Sequence, residues 1–355
     1  MKRLVICCDG TWNSADDPTQ ATNVVKMSRA IPAVSEEGIQ QTIYYDEGVG
    51  TGNAVDRFLG GVVGLGLNKN VLQAYQFLAQ NYQDGDDLIF FGFSRGAYTV
   101  RALAGLVAKV GLLQKLFLHE LPDIYEQYRS SAKLSDEYLK SLKPKVAAYP
   151  AIQFLGVWDT VGSLGIPSGP FRWIGRAWYD FHDVELNPRI LNARQALAID
   201  ETRKHFKPAV WDTTAQAGTT AGAAPQTVKQ LWFAGAHSNV GGGYEESTLA
   251  DIAFQWMAEE AQPFLALDKC YLERHIPPLS EDFWGDLPPS RTGVYKLFRP
   301  HLREIGPEPT EEIHVSALQR MEWGDPGRFT PYPYRPANVL RFLRTYTASN
   351  TRAGD

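Results

Sequence analysis

Five short apolar runs punctuate the first two-thirds of the chain, each ending in a polar or glycine-rich turn. They lie at residues 4–8 (LVICC), 42–45, 87–93 (DLIFFGF), 152–158 (IQFLGVW) and 228–234. Continuous rather than alternating apolar character is expected of strands buried on both faces, as in parallel sheets. Helical periodicity fills the spaces between them. Residues 70–82 (NVLQAYQFLAQNY) bring Val71, Tyr75, Phe77 and Leu78 to about one face, and 97–110 and 249–261 behave alike. Strands alternating with helices predict an α/β fold, with a mostly parallel central sheet covered by helices on both sides.

Two stretches break the alternation. Residues 112–150 are amphipathic, and 165–227 are rich in Pro, Trp and Gly. Both are expected to be cap-type insertions shaping a substrate site. Within the second, Phe171, Trp173, Ile174, Trp178 and Tyr179 are candidates for an apolar lipid-facing surface or for ordinary packing. Residues 1–270 are expected to form the catalytic domain. Residues 271–355, rich in Pro, should be an irregular C-terminal extension packed on it.

The 355 residues carry a net charge of -5, which supplies no bulk attraction to nucleic acid or anionic membranes. No run reaches membrane-spanning length, and the N-terminal apolar run is too short for a signal sequence. Cytoplasmic synthesis follows, with export open only to a machine that reads no N-terminal signal. Cys7, Cys8 and Cys270 lack metal-type spacing and are expected to be buried free thiols. The glycine-rich stretches near residues 48–52 and 61–66 fit neither a P-loop nor a dinucleotide fingerprint, so no cofactor and no metal are expected.

The chemistry concentrates at Gly92-Phe93-Ser94-Arg95-Gly96, which stands between a predicted strand and a predicted helix. That is the setting of a nucleophile elbow: small residues flank a strained serine where strand and helix backbones nearly touch. The N–H of Arg95 would then face a developing oxyanion. A serine nucleophile needs a histidine base and a carboxylate, in the chain order Ser, acid, His for this fold. Asp159 follows the run 152–158, and His237 follows 228–234; both therefore stand at strand ends. Asp251 is the second candidate for the acid, though it breaks the order; a helix cap is its plainer role. After the first strand, Gly10 or Thr11 would supply the second oxyanion N–H, and Asp9 would hold that loop.

Taken together, the segments Asp9-Gly10-Thr11-Trp12-Asn13, Gly92-Phe93-Ser94-Arg95-Gly96-Ala97, Gly156-Val157-Trp158-Asp159-Thr160-Val161-Gly162 and His237-Ser238-Asn239-Val240-Gly241-Gly242-Gly243-Tyr244 carry a resemblance. In order and spacing they resemble an α/β-hydrolase domain family of unknown function that includes the catalytic domains of type VI secretion phospholipase effectors. Phe181-His182-Asp183, residues 196–201 and Tyr334-Arg335-Pro336-Ala337-Asn338 extend the likeness over most of the chain. The resemblance implies an α/β-hydrolase fold and hydrolysis of carboxylic esters by Ser94, Asp159 and His237. It implies lipid acyl chains as substrates, transient membrane contact, and a secretion or immunity partner. Two positions depart from the family pattern: Asn239 stands where Asp is usual, and Gln195 where His is usual. A soluble small-ester esterase and a pseudo-hydrolase acting as a binding module are the competing expectations.

Overall fold

In the computed structural model the described residues are 1–10, 20–48, 62–130, 134–161, 186–213, 225–276, 285–306, 308–323 and 333–352. The strands are β1 (Arg3–Cys8), β2 (Gln41–Asp46), β3 (Asp87–Phe93), the short β4 (Leu112–Leu113) and β5 (Val146–Ala148), then β6 (Ile152–Trp158), β7 (Asn192–Ala198), β8 (Thr227–Phe233) and β9 (Glu311–Ile313). Seven of them form one sheet in the order β2-β1-β3-β6-β7-β8-β9, and every neighbouring pair is parallel. Strands β4 and β5 make a separate antiparallel pair.

Alternate side chains along each strand enter two different apolar layers, because successive residues point to opposite sheet faces. Leu4, Ile6, Leu88 and Phe90 face a layer built with α2 (Val62–Asn81) and α3 (Arg95–Val110), which contribute Val71, Tyr75, Leu78, Val100 and Leu103. Val5, Cys7, Ile89 and Phe91 face the other layer, with Val24 and Met27 of α1 (Asn23–Ala30). Ile252, Phe254 and Met257 come to that layer from a later helix (Thr248–Ala261). The sequence therefore reads as continuous apolar strands for a simple reason: both faces are covered.

All five expected strands are present. Two strands of the sheet go beyond that expectation: the three-residue edge strand β9, and β7, near the middle, which lies inside the stretch expected to be a cap insertion. The β7 sequence, NARQALA, lacks any β-branched or aromatic residue and carries two long polar side chains. Those polar groups find partners. Gln195 Nε2 donates to the Ala209 carbonyl at 3.1 Å, and Arg194 Nε lies 2.5 Å from Glu260 Oε2. A paired polar group is tolerated in the interior, so tertiary contacts overrode a weak local preference.

Segment 112–150 also differs from the cap expectation. Leu112, Leu121, Ile124, Tyr125 and Leu142 join the layer containing α2 and α3, and so extend the core. The C-terminal region contributes the edge strand β9 and a 16-residue helix (Ala337–Arg352), more regular structure than its Pro-rich composition predicts. Cys7 and Cys8 are buried, and burial pushes both thiols upward in pKa; Cys270, expected to be buried, is exposed. Phe171, Trp173, Ile174, Trp178, Tyr179 and the Phe181-His182-Asp183 block lie outside the described residues. No described helix is long and apolar enough to cross a membrane.

Candidate active site

Ser94 stands at the junction of β3 and α3 with φ 56° and ψ −116°. Among the described residues, only Ser94 and Asp159 combine a side chain with positive φ. Left-handed backbone at a non-glycine residue costs free energy and persists where the surroundings enforce it. Here the enforcement is close packing. A Cβ at Gly96 would fall 1.9 Å from the Cys8 carbonyl oxygen, and one at Gly92 would fall 2.6 Å from the Gly96 carbonyl oxygen. Only glycine lets α3 start this near the ends of β1 and β3. The Ser94 N–H donates to the Trp158 carbonyl at 3.1 Å, tying the turn to β6.

Asp159 follows β6 and His237 opens a short helix (His237–Gly241) after β8. The fold brings all three together. His237 Nε2 lies 2.8 Å from Ser94 Oγ, and His237 Nδ1 lies 2.6 Å from Asp159 Oδ2. Asp159 is fully buried and its N–H donates to the Ala196 carbonyl of β7, so that strand helps to seat the candidate acid. Phe93 and Phe206 flank the imidazole, with ring centroids 4.7 and 5.0 Å away.

Asp159 has a second partner from far along the chain. Arg303 Nη1 donates to Oδ1 at 2.6 Å and Nη2 to Oδ2 at 3.0 Å. Ala198 N–H also donates to Oδ1, and Arg303 donates to the Ala198 and Phe206 carbonyls. Burial by itself would raise the carboxyl pKa. The Arg303 guanidinium and the His237 hydrogen bond outweigh it and hold the group well below the usual carboxylate range. Asp159 is thus an anion whose oxygens are fixed by four donor contacts. With it ionised, the proton of a neutral imidazole belongs on Nδ1, leaving the Nε2 lone pair toward Ser94. No local signal marks Arg303 in the sequence.

Asp251 lies elsewhere. Its Oδ1 pairs with Lys26 Nζ at 2.5 Å and its Oδ2 accepts from Ser247 Oγ at 2.7 Å, which makes it a clasp between two helices rather than a partner of His237. Of the expected oxyanion donors, Arg95 N–H sits in the first turn of α3, where amides have no acceptor within the helix. Gly10 N–H is already engaged by Asp9 Oδ1 at 2.6 Å, which corrects the expectation that it is a free donor. Asp9 does hold its loop: Oδ2 also accepts from Thr22 and Tyr45. Thr11 lies outside the described residues. The Arg95 side chain is buried, which lowers its pKa to about 10.

The two departures are structural. Asn239 Oδ1 accepts from Ala236 N–H at 3.1 Å, and its Nδ2 donates to the Asp286 carbonyl at 3.3 Å, a bond an aspartate could not make. Gln195 of β7 accepts from Arg101 of α3 and donates to the Ala209 carbonyl. Glu201, buried beneath the His237 loop, accepts the His237 N–H at 3.3 Å and pairs with Arg203, which stacks 3.6 Å over Phe206. Among the described residues, no three His, Cys, Asp or Glu side chains gather as a metal site.

Comparison with known proteins finds similar chains of distant sequence. An uncharacterized Saccharomyces cerevisiae protein is 27% identical over 233 residues, covering 58% of this chain and 32% of its own length. The chain therefore spans about a third of that curated relative. A crystal structure of an uncharacterized Pseudomonas aeruginosa protein is 19% identical with a TM-score of 0.44, over 75% of this chain and 47% of the other. The Tle1 effector bound to the VgrG spike of the type 6 secretion system is 21% identical with a TM-score of 0.37, over 68% of this chain and 51% of the other. The family model that matches residues 2–260 is described as T6SS, phospholipase effector Tle1-like, catalytic domain, and the chain belongs to that family.

Proposed function

We propose that the chain is a serine hydrolase of carboxylic esters, acting on lipid acyl esters such as those of phospholipids. The observation that carries this reading is the continuous relay from Ser94 Oγ through both ring nitrogens of His237 to the buried Asp159 carboxylate. Membership of a family described by its phospholipase effectors supports the lipid substrate.

In this mechanism His237 Nε2 takes the Ser94 hydroxyl proton as Oγ attacks the ester carbonyl carbon. The tetrahedral oxyanion forms beside the Arg95 N–H. His237 then gives its proton to the departing alcohol oxygen, leaving an acyl group on Ser94. A water, deprotonated by the same nitrogen, attacks that acyl carbon and releases the fatty acid. Asp159 stays ionised throughout and stabilises the imidazolium, while Arg303 fixes its orientation. No cofactor is needed. The family is described by type VI secretion effectors, so delivery by a route that reads no N-terminal signal, with a spike-type partner, belongs to the same proposal.

Phospholipid vesicles with labelled acyl chains provide the test, together with a fluorophosphonate probe. The wild-type chain should release fatty acid and take up the probe, and Ser94→Ala should do neither. Release of fatty acid by Ser94→Ala would sink the mechanism. Probe labelling with turnover of short soluble esters but not of vesicles would move the substrate to small esters. Absence of both labelling and turnover would leave a binding module.

A further inference from the structure

Eight large apolar side chains are exposed among the described residues, and three of them fall within six consecutive positions: Leu297 at 84%, Phe298 at 37% and Leu302 at 43%. The same stretch is cationic. Residues 288–303 contain Arg291, Lys296, Arg299 and Arg303 and no carboxylate, in a chain whose net charge is -5. Lys296 and Arg299 are exposed, and neither forms an ion pair among the described residues.

This segment packs against the loop beside His237. His301 N–H donates to the Thr202 carbonyl, and Thr202 N–H donates to Ser290 Oγ, so both ends are tied to the loop after β7. Tyr295 packs edge-on to Phe206, whose ring meets the imidazole of His237, and Phe298 packs edge-on to His205. The loop at 202–207 carries the exposed Lys204 and Lys207. At the far end of the segment, Arg303 grips Asp159.

Apolar side chains standing in water cost free energy unless something covers them, and here unpaired cations stand in the same segment. A protein partner could cover the leucines, but the charge pattern selects an anionic surface, and the position selects one that presents acyl esters to Ser94. We infer that residues 291–302 dock on an anionic phospholipid surface, with Leu297, Phe298 and Leu302 entering the headgroup boundary and Lys296 and Arg299 meeting lipid phosphates. This deepens the hydrolase reading and rests on it for the identity of the surface. The arrangement matches interfacial segments that combine buried apolar area with attraction to anionic lipid. Because the segment is anchored to Thr202 at Ser290 and His301, docking would set the distance between the bilayer and the Ser94–His237 pair.

Flotation with vesicles separates docking from turnover when Ser94→Ala protein is used. Binding is expected to phosphatidylcholine vesicles containing about 30 mol % phosphatidylglycerol, and to fall as salt rises. Each basic side chain near such a surface is worth about fivefold in partition, so Lys296→Gln with Arg299→Gln should bind about 25-fold more weakly. Leu297→Gln should cost about tenfold through lost apolar contact. Turnover of a soluble short-chain ester by the same changes in the Ser94 protein reports that the fold is intact. Vesicle binding unaffected by both variants would overturn the assignment, as would absence of binding to anionic vesicles. A concentration-dependent dimer abolished by Leu297→Gln would overturn it too, by making a second copy the occupant. Docking without any acyl release would retire the hydrolase reading while leaving the surface; acyl release without docking would do the reverse.

Discussion

Arg303 closes both of its terminal nitrogens on the carboxylate of Asp159, at 2.6 and 3.0 Å, across 144 residues of chain. The family match ends at residue 260, so the residue that fixes the candidate acid comes from beyond it. Both side chains are essentially inaccessible to solvent. Such a pair contributes little as a net attraction, yet breaking it leaves a buried charge without its partner. Its visible role is positional, since two parallel hydrogen bonds fix the plane of the carboxylate that His237 must meet.

Arg303→Met should therefore destabilise the protein by about 3–5 kcal/mol at neutral pH, measured by urea unfolding. The pH dependence has a definite sign. In the wild type the Asp159 pKa is depressed, so its contribution to stability is present above the ordinary carboxylate value near 4 and fades as pH falls below it. In the variant, burial is opposed only by His237 and the Ala198 N–H, and the Asp159 pKa rises, so its protonation on acidification relieves the buried charge earlier. The stability gap between the two proteins should be widest at pH 7 and narrow toward pH 4. A gap that widens on acidification would contradict this account.

Asp159→Asn and Asp251→Asn should behave oppositely in kinetics. Asp159→Asn favours the wrong histidine tautomer and should lower kcat by about 10⁴-fold. Asp251→Asn leaves Lys26 without its carboxylate and should cost about 3–5 kcal/mol of stability while kcat for a soluble ester stays close to wild type. A kcat collapse in the Asp251 variant, under conditions where it is folded, would transfer the role of acid.

The turn at Ser94 should fail on the addition of one methyl group. Gly96→Ala puts a Cβ where the Cys8 carbonyl oxygen lies, and neither α3 nor the end of β1 can move without displacing the other. Loss of fluorophosphonate labelling is expected even where circular dichroism shows retained secondary structure. Full labelling would mean that the close approach is not required.

Asn239→Asp restores the residue usual in the family yet removes the amide that donates to the Asp286 carbonyl, placing an acceptor against an acceptor. A loss of about 1 kcal/mol in thermal or urea stability should follow, with Ser94 still reactive toward the probe. A stabilised variant with raised kcat would show that the missing charge, rather than the carbonyl contact, governs this position.

What the sequence by itself determined was local. The apolar runs fixed which segments become buried parallel strands, and two small residues around Ser94 announced a turn that only glycine permits. The chain order of Ser94, Asp159 and His237 followed from each standing at a strand end, because a parallel sheet delivers successive strand ends to one edge. Tertiary structure decided the rest. Strand β7 is a strand because Gln195 and Arg194 find partners across the fold, not because NARQALA prefers extended backbone. Gly10 lost its expected place as a donor to the side chain of its own neighbour, Asp9. Arg303 reaches Asp159 through packing that no spacing rule encodes. A pairing across 144 residues depends on where the intervening chain is folded, and that is a property of the assembled core rather than of any segment in it.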